Sequence, residues 1–145
     1  MKAISRWTGF ASGLWCVAFG APHLWWALGW SFGFPGGQAS YDFFMSSWWR
    51  VGFDWFVIAC CVLGVFVARA LNTPVESLAQ RKVPLRLAWT AFLLLSVRGV
   101  AGLIVDRLQD RLWDPTFVVG GVLFGALIWQ AHRSNRSVLS AGIPT

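Results

Sequence analysis

The stretch "GFDWFVIACCVLGVFVARAL", residues 52–71, contains only two charged side chains, Asp54 and Arg69. Its length matches the roughly 17 to 25 apolar residues that a helix needs to cross a bilayer. Three other stretches of similar character occur at residues 7–29, 85–105 and 116–132. The sequence therefore predicts an all-α fold, an integral membrane four-helix bundle in which residues 1–145 form a single domain.

The composition favours the same class of protein. Hydrophobic residues make up 57% of the chain and charged residues 12%, whereas soluble domains carry about 25% charged residues. The net charge of +6 lies in short connections rather than along one surface, which argues against a nucleic-acid partner. The apolar run after Arg6 exceeds the roughly 7 to 15 residues of a signal-peptide core, so we expect it to be retained as the first span.

The basic residues predict the orientation of the chain in a cell membrane. Those before the first span, around the middle connection and after the fourth span are Lys2, Arg6, Arg69, Arg81, Lys82, Arg86, Arg133 and Arg136. The other two connections mix arginine with aspartate. Because Lys and Arg accumulate in cytoplasmic loops, both termini and the middle connection are expected in the cytoplasm.

The connection after the first span, residues 30–51, is expected to cover the outer end of the bundle. Its first part, "SFGFPGGQAS", must turn, because proline fixes φ and glycine tolerates positive φ. Its second part, "YDFFMSSWWR" at residues 41–50, is rich in aromatic side chains and suits a short helix at the membrane interface.

Ionisable side chains enter the predicted spans near their outer ends: His23 in the first, Asp54 in the second and Arg98 in the third. A central arginine costs about 2.5 to 3.5 kcal/mol on the insertion scale, so it usually faces protein or water and has a partner. We expect Arg98 to extend toward Asp54, or toward Asp106 on its own helix face.

The two halves of the chain share a weak similarity in the order of their ionisable residues. His23 and Arg98 each lie in the outer part of a span, and each is followed by a connection and by an aspartate that opens the next span, Asp54 and Asp114. Asp114 with Pro115 is a natural helix start. The surrounding sequences match poorly, so this similarity reflects either an internal duplication or the tendency of polar residues to lie near helix ends.

These residues define a candidate ligand site in the outer half of the bundle. On the first span, one helical stripe carries Cys16, Phe19, His23, Trp26 and Trp30. Arg98 would anchor an anionic or carbonyl head of a lipophilic ligand, with aromatic walls around it. The predicted ligand-binding residues are His23, Trp26, Trp30, Asp54, Trp55, Arg98 and Asp106. No metal is expected, because no second histidine can join His23, and no cofactor can be named from the sequence.

Three functions are compatible with these features. The one we favour is a non-enzymatic membrane protein that binds a membrane lipid or another lipophilic small molecule. The second is an accessory or assembly subunit of a larger membrane complex, or a homo-oligomer. In that case Arg98 only neutralises an aspartate, and the small-residue repeats Ser5-Gly9-Gly13 and Gly121-Gly125 could contact a partner helix. The third is an enzyme with His23 as general acid or base, although no nucleophile or cofactor motif accompanies this histidine.

The segment His23-Leu24-Trp25-Trp26-Ala27-Leu28-Gly29 resembles the motif of a family of small bacterial four-span membrane proteins catalogued only as a domain of unknown function. In that family a histidine near the outer end of the first span is followed by Trp-Ala-x-Gly-Gly. Here Trp30 replaces the second glycine. The family's other feature, an aspartate before a glycine-containing final span, corresponds to Asp114, Gly120 and Gly121. The resemblance implies four spans and no established activity.

Overall fold

A computed structural model describes residues 2–73, 81–105 and 114–140, with the side chains of residues 7–73, 81–104 and 114–134. These residues form five helices and no strand: α1 (Lys2–Ala27), α2 (Gly37–Met45), α3 (Trp48–Asn72), α4 (Lys82–Val105) and α5 (Asp114–Ser140). The predicted all-α class is confirmed for this part of the chain. The four predicted spans correspond to α1, α3, α4 and α5.

Three of the helices are long and apolar enough to cross a membrane: Trp48–Asn72, Lys82–Ile104 and Asp114–Ser134. Many of their large hydrophobic side chains are exposed on the bundle surface, as expected where lipid is the solvent. α1 is as long, at 26 residues, and is not among these three candidate spans. The described helices therefore support a membrane protein with three candidate spans.

The four long helices form two antiparallel hairpins. α1 packs along α3, and α4 packs along α5, while α1 with α5 and α3 with α4 make less extensive contacts between the hairpins. Close pairs run in opposite chain directions, namely Gly20–Cys61, Cys16–Gly64 and Gly9–Asn72 in the first hairpin and Gly99–Val118, Ser96–Gly121 and Phe92–Gly125 in the second. The two halves of the chain thus adopt the same local architecture.

The apolar core lies mainly in the half of the bundle where α3 and α5 end. Its buried residues are Cys16, Val67, Ala68, Leu71, Ala88, Phe124, Leu127, Ile128 and Ala131. The opposite half, where α1 and α4 end and α3 and α5 begin, contains two pairs of ionisable side chains formed by described residues. We call this half the paired end and define it by His23, Asp54, Arg98 and Asp114.

Glycines of the predicted small-residue repeats lie mostly inside the bundle. A Cβ added at Gly121 or Gly125 would meet side chains of α4, and one at Gly9 would meet Asn72 of α3, whereas Gly13 has open space around it. Three of these four glycines therefore allow close approach between helices of this chain itself.

α1 ends shortly after His23 in a turn that requires glycine. Gly29 has φ of 101°, its N–H donates to the Trp26 carbonyl, and the Trp30 N–H donates to the Trp25 carbonyl. These two hydrogen bonds form a Schellman motif, which a contact between the flanking side chains often accompanies. The ring centroids of Trp25 and Trp30 are 4.0 Å apart. Trp30 therefore fixes the helix end and does not continue the predicted stripe of α1.

The helix predicted at residues 41–50 is displaced toward the N-terminus. α2 ends at Met45, and Ser47 has an extended backbone, so the last three residues of the predicted helix belong to the first turn of α3. The Tyr41 hydroxyl donates to the Trp26 carbonyl at 3.2 Å. α2 therefore packs over the end of α1.

Candidate functional site

The first ionisable pair joins α1 to α3. His23 Nδ1 lies 2.7 Å from Asp54 Oδ1, and the imidazole donates because a carboxylate oxygen can only accept. The exposed fraction is 13% for the His23 side chain and 2% for that of Asp54. The other carboxylate oxygen, Oδ2, is buried with no hydrogen-bond partner among the described residues. The bond to Asp54 fixes the orientation of the imidazole and ties the two helices together.

The second pair joins α4 to α5 at the equivalent place. Arg98 Nη1 donates to Asp114 Oδ1 at 2.8 Å. Asp114 opens α5, where the helix dipole favours a carboxylate, and it is buried. In contrast, 45% of the Arg98 side chain is exposed. The expectation that Arg98 extends toward Asp54 is wrong, because Asp54 pairs with the nearer histidine of its own hairpin; Asp106 lies outside the described residues.

Gly102 makes room for the second pair. It follows Arg98 by one helical turn and faces α5, and a Cβ added there would overlap both the Asp114 carboxylate and the Arg98 guanidinium. Only glycine at this position lets the α4 backbone come this close to the first residue of α5.

Aromatic contacts connect the two pairs. The Phe19 ring centroid lies 5.3 Å from that of His23 and 5.1 Å from that of Phe117 on α5. The guanidinium carbon of Arg98 lies 5.1 Å from the Phe117 ring centroid, within the range of a cation–π contact. Trp15 stacks on Phe19 at 5.1 Å and donates its indole N–H to a backbone carbonyl of α5. The rings of α1 therefore link His23 to α5 and the second pair.

A cavity of about 420 Å³ lies between the two hairpins. Side chains of all four long helices form its walls, and the aromatic ones are Trp15, Phe19, Phe53, Phe56, Phe117 and Phe124. Arg98 is the one charged side chain among the described residues of the wall. Large apolar wall residues from α3 and α4 are also exposed on the lateral surface of the bundle: Phe53, Phe56, Leu63 and Leu94. The volume falls within the roughly 300 to 1,000 Å³ of small-molecule pockets.

The predicted site residues are divided between two places. Arg98 lines the cavity, whereas the residues outside its lining are His23, Trp26, Trp30, Asp54 and Trp55. Trp26 is buried beneath the connection between α1 and α3 and donates its indole N–H to the Phe32 carbonyl at 3.3 Å. Trp30 and Trp55 are exposed. The structure therefore brings together His23 with Asp54 and separates this pair from the cavity wall that contains Arg98.

Sequence reasoning missed Asp114 as the partner of Arg98. The similarity between the two halves indicated this pairing, because it places Arg98 and Asp114 in the same chain order as His23 and Asp54. Sequence reasoning also missed the cavity walls formed by Trp15, Phe53, Phe56 and Phe117. No local spacing predicts these walls, since they depend on how the two hairpins pack against each other.

The connection between α1 and α3 covers the first pair. The Phe34 ring packs at 5.1 Å from that of Trp26 and at 5.4 Å from that of Tyr41, measured between centroids. Burial, followed by the nearby carboxylates of Asp42 and Asp54, raises the pKa of Tyr41 above its ordinary value. The phenol therefore stays protonated at neutral pH and keeps its hydrogen bond to the end of α1.

The two pairs differ in what they can do chemically. Arg98 is a permanent cation with five N–H donors, and it is part of a cavity wall. A carboxylate behind a histidine is also the arrangement of many general bases, but His23 does not belong to the cavity lining. The geometry at the paired end therefore suits binding of a polar head beside Arg98 better than proton transfer by His23.

Comparisons with protein-family models, with curated proteins and with solved structures find no match to this chain. The family resemblance of the segment from His23 to Gly29 stays a prediction. The cavity and the guanidinium in its wall are therefore the features on which a functional proposal can rest.

Proposed function

We propose that this protein is a non-enzymatic integral membrane protein that binds one lipophilic molecule with an anionic or carbonyl head in the cavity between its hairpins. The observation that carries the proposal is Arg98, which is half-exposed and is the charged member of an otherwise nearly apolar wall. A guanidinium in such surroundings forms strong hydrogen bonds with ligand oxygens. Aromatic walls favour burial of the hydrocarbon part of the ligand.

The ligand enters from the hydrocarbon of the bilayer. The cavity reaches the surface between α3 and α4, where Phe53, Phe56 and Leu94 are exposed. Since these helices are candidate spans, that surface faces lipid acyl chains. A molecule dissolved in the bilayer reaches Arg98 without passing through water.

The proposal includes four spans, with α1 as the first, both termini in the cytoplasm and α2 at the outer interface. Two features of α1 support this: it packs along the candidate span α3, and its Trp7 and Phe10 are exposed. Gln130 of α5 donates to Thr8 of α1 at 2.6 Å, so the first turns of α1 and the later turns of α5 lie at the same end. A reporter that fluoresces only in the cytoplasm is expected to be bright at either terminus and dark when inserted after Gly33. The opposite pattern would contradict this topology.

The binding proposal is tested by blocking the cavity. Cys60 is exposed and lines the cavity, whereas its neighbour Ala59 is exposed and does not. Native mass spectrometry of protein extracted gently from its own membrane is expected to find one small adduct per chain. We expect the adduct in the wild type and in Ala59→Trp. We expect its loss in Cys60→Trp, because only the indole at position 60 fills the binding space.

An adduct that is equally abundant in both tryptophan variants would contradict binding in this cavity. A stoichiometric partner protein without any small adduct would instead indicate an accessory or assembly subunit. In that case the Arg98–Asp114 pair would serve helix packing alone.

A further inference from the structure

The pairing of Arg98 with Asp114 discriminates between an anionic and a neutral ligand head. Asp114 is 1% exposed and lies 2.8 Å from the guanidinium, so the positive charge is already matched by a buried negative one. Arg98 is therefore the cationic half of a neutral pair in the cavity wall.

An anionic head at Arg98 would place two anions beside one cation. Repulsion between the head and the Asp114 carboxylate is weakly screened in apolar surroundings, and the desolvation of the second anion has no matching charge. The face of the Phe117 ring, which lies against Arg98, is itself electron-rich and disfavours an anion.

A neutral carbonyl oxygen avoids these costs. Arg98 uses Nη1 for Asp114, and a guanidinium has five N–H donors arranged as a fork. Another N–H can donate to a carbonyl while the ion pair stays intact. Resting on the proposed function, we infer that the cavity selects a neutral lipophilic carbonyl compound over an anion of equal chain length.

Three probes with a twelve-carbon chain test this selection: dodecan-2-one, dodecane and dodecane-1-sulfonate. The protein is placed in discs of ether-linked phosphatidylcholine, which contain no ester carbonyl, and occupancy is measured by native mass spectrometry at graded probe fractions. The ketone is expected to bind one per chain and about tenfold more tightly than dodecane, the effect of a single hydrogen bond. The sulfonate is expected to bind more weakly than the ketone.

Asp114→Asn provides the matched variant. It removes the negative partner and keeps a side chain of the same size that accepts from Arg98. The sulfonate is expected to gain at least tenfold in affinity, while ketone binding changes less than threefold. Binding by the wild type decides the question by itself if this variant fails to fold.

Sulfonate binding equal to or tighter than ketone binding in the wild type would overturn the inference and leave the proposed function standing. Failure of all three probes to bind would overturn the proposed function with it. Discs of ester-linked lipid then identify the source of the carbonyl. Weaker ketone binding there indicates competition by the bilayer ester, and unchanged binding indicates a separate ketone or quinone; both results support a neutral carbonyl head.

Discussion

Each of the two hairpins places an acid in the first turns of one helix beside a base near the end of the other, but the exposure of the two pairs differs. In the α1–α3 hairpin both His23 and Asp54 are largely buried, and neither lines the cavity. In the α4–α5 hairpin Asp114 is buried, while Arg98 is half-exposed in the cavity wall. By our proposal, the same arrangement serves helix packing in one half and packing together with ligand binding in the other.

The basic residue of each pair, His23 or Arg98, matches this difference between the two hairpins. Arginine keeps its charge and retains further donors after pairing with one carboxylate oxygen. Histidine has two ring nitrogens, and Nδ1 of His23 is occupied by Asp54. By our proposal, loss of the first pair therefore leaves ligand binding unchanged, whereas loss of the second pair abolishes it.

The largest expected effect is that of Arg98→Ala. It leaves the buried Asp114 carboxylate without its ion-pair partner, and an uncompensated buried charge costs about 3 kcal/mol or more. We expect this loss in the unfolding free energy measured by reversible SDS unfolding in mixed micelles. The double variant Arg98→Ala/Asp114→Asn should recover more than half of it. Equal losses in both variants would show that the carboxylate does not need its partner.

His23→Leu tests the first pair. It removes the hydrogen bond to Asp54, whose other oxygen is already buried without a described partner, and we expect a loss of about 2 kcal/mol in the same unfolding experiment. His23→Gln keeps an N–H donor and should lose about half as much. If the glutamine variant is as unstable as the leucine variant, the bond to Asp54 is not the source of the stability.

Gly102→Ala tests the close approach of α4 to the second pair. The added methyl group would overlap the Arg98–Asp114 pair, so unfolding free energy should fall by about 1 to 2 kcal/mol. Gly13→Ala is the control, because nothing lies within 4 Å of a Cβ there, and it should raise stability by about 0.5 to 1 kcal/mol. A Gly102→Ala protein as stable as the wild type would refute the close approach of α4 to Asp114.

The smallest expected effect is at the end of α1. Gly29→Ala places a side chain at φ of 101°, which should cost about 1 kcal/mol in the unfolding free energy. Gly52→Ala, in a helical and open position, should instead raise stability by about 0.5 to 1 kcal/mol. Equal stability of the two variants would argue against the glycine turn that ends α1.

The helices could be predicted from the sequence because their signals are local. Long apolar runs locate α3, α4 and α5, and Asp114 followed by Pro115 marks the residue at which α5 begins. The end of α1 was misplaced because Gly29 and Trp30 read equally well as apolar residues of a span. Their hydrogen bonds back to α1 show that they terminate it.

The candidate site could be predicted only in part. Depth in the membrane places His23, Asp54 and Arg98 near one end, but depth does not decide which base meets which acid. That choice depends on which helices form the hairpins and on Gly102, which leaves room for Asp114 beside Arg98. The tryptophans near the end of α1 were natural candidates for ligand contact, yet Trp26 holds the connection between α1 and α3, and Trp30 packs on the end of α1.

The most direct test of the division between the two pairs is the native mass spectrum of His23→Gln beside that of Arg98→Gln/Asp114→Asn. Both variants keep hydrogen-bonding side chains at the paired end, and the second also stays neutral overall. We predict that the small adduct is retained in His23→Gln and lost in the double variant. Retention in both variants, or loss in both, would contradict the assignment of ligand binding to the α4–α5 hairpin.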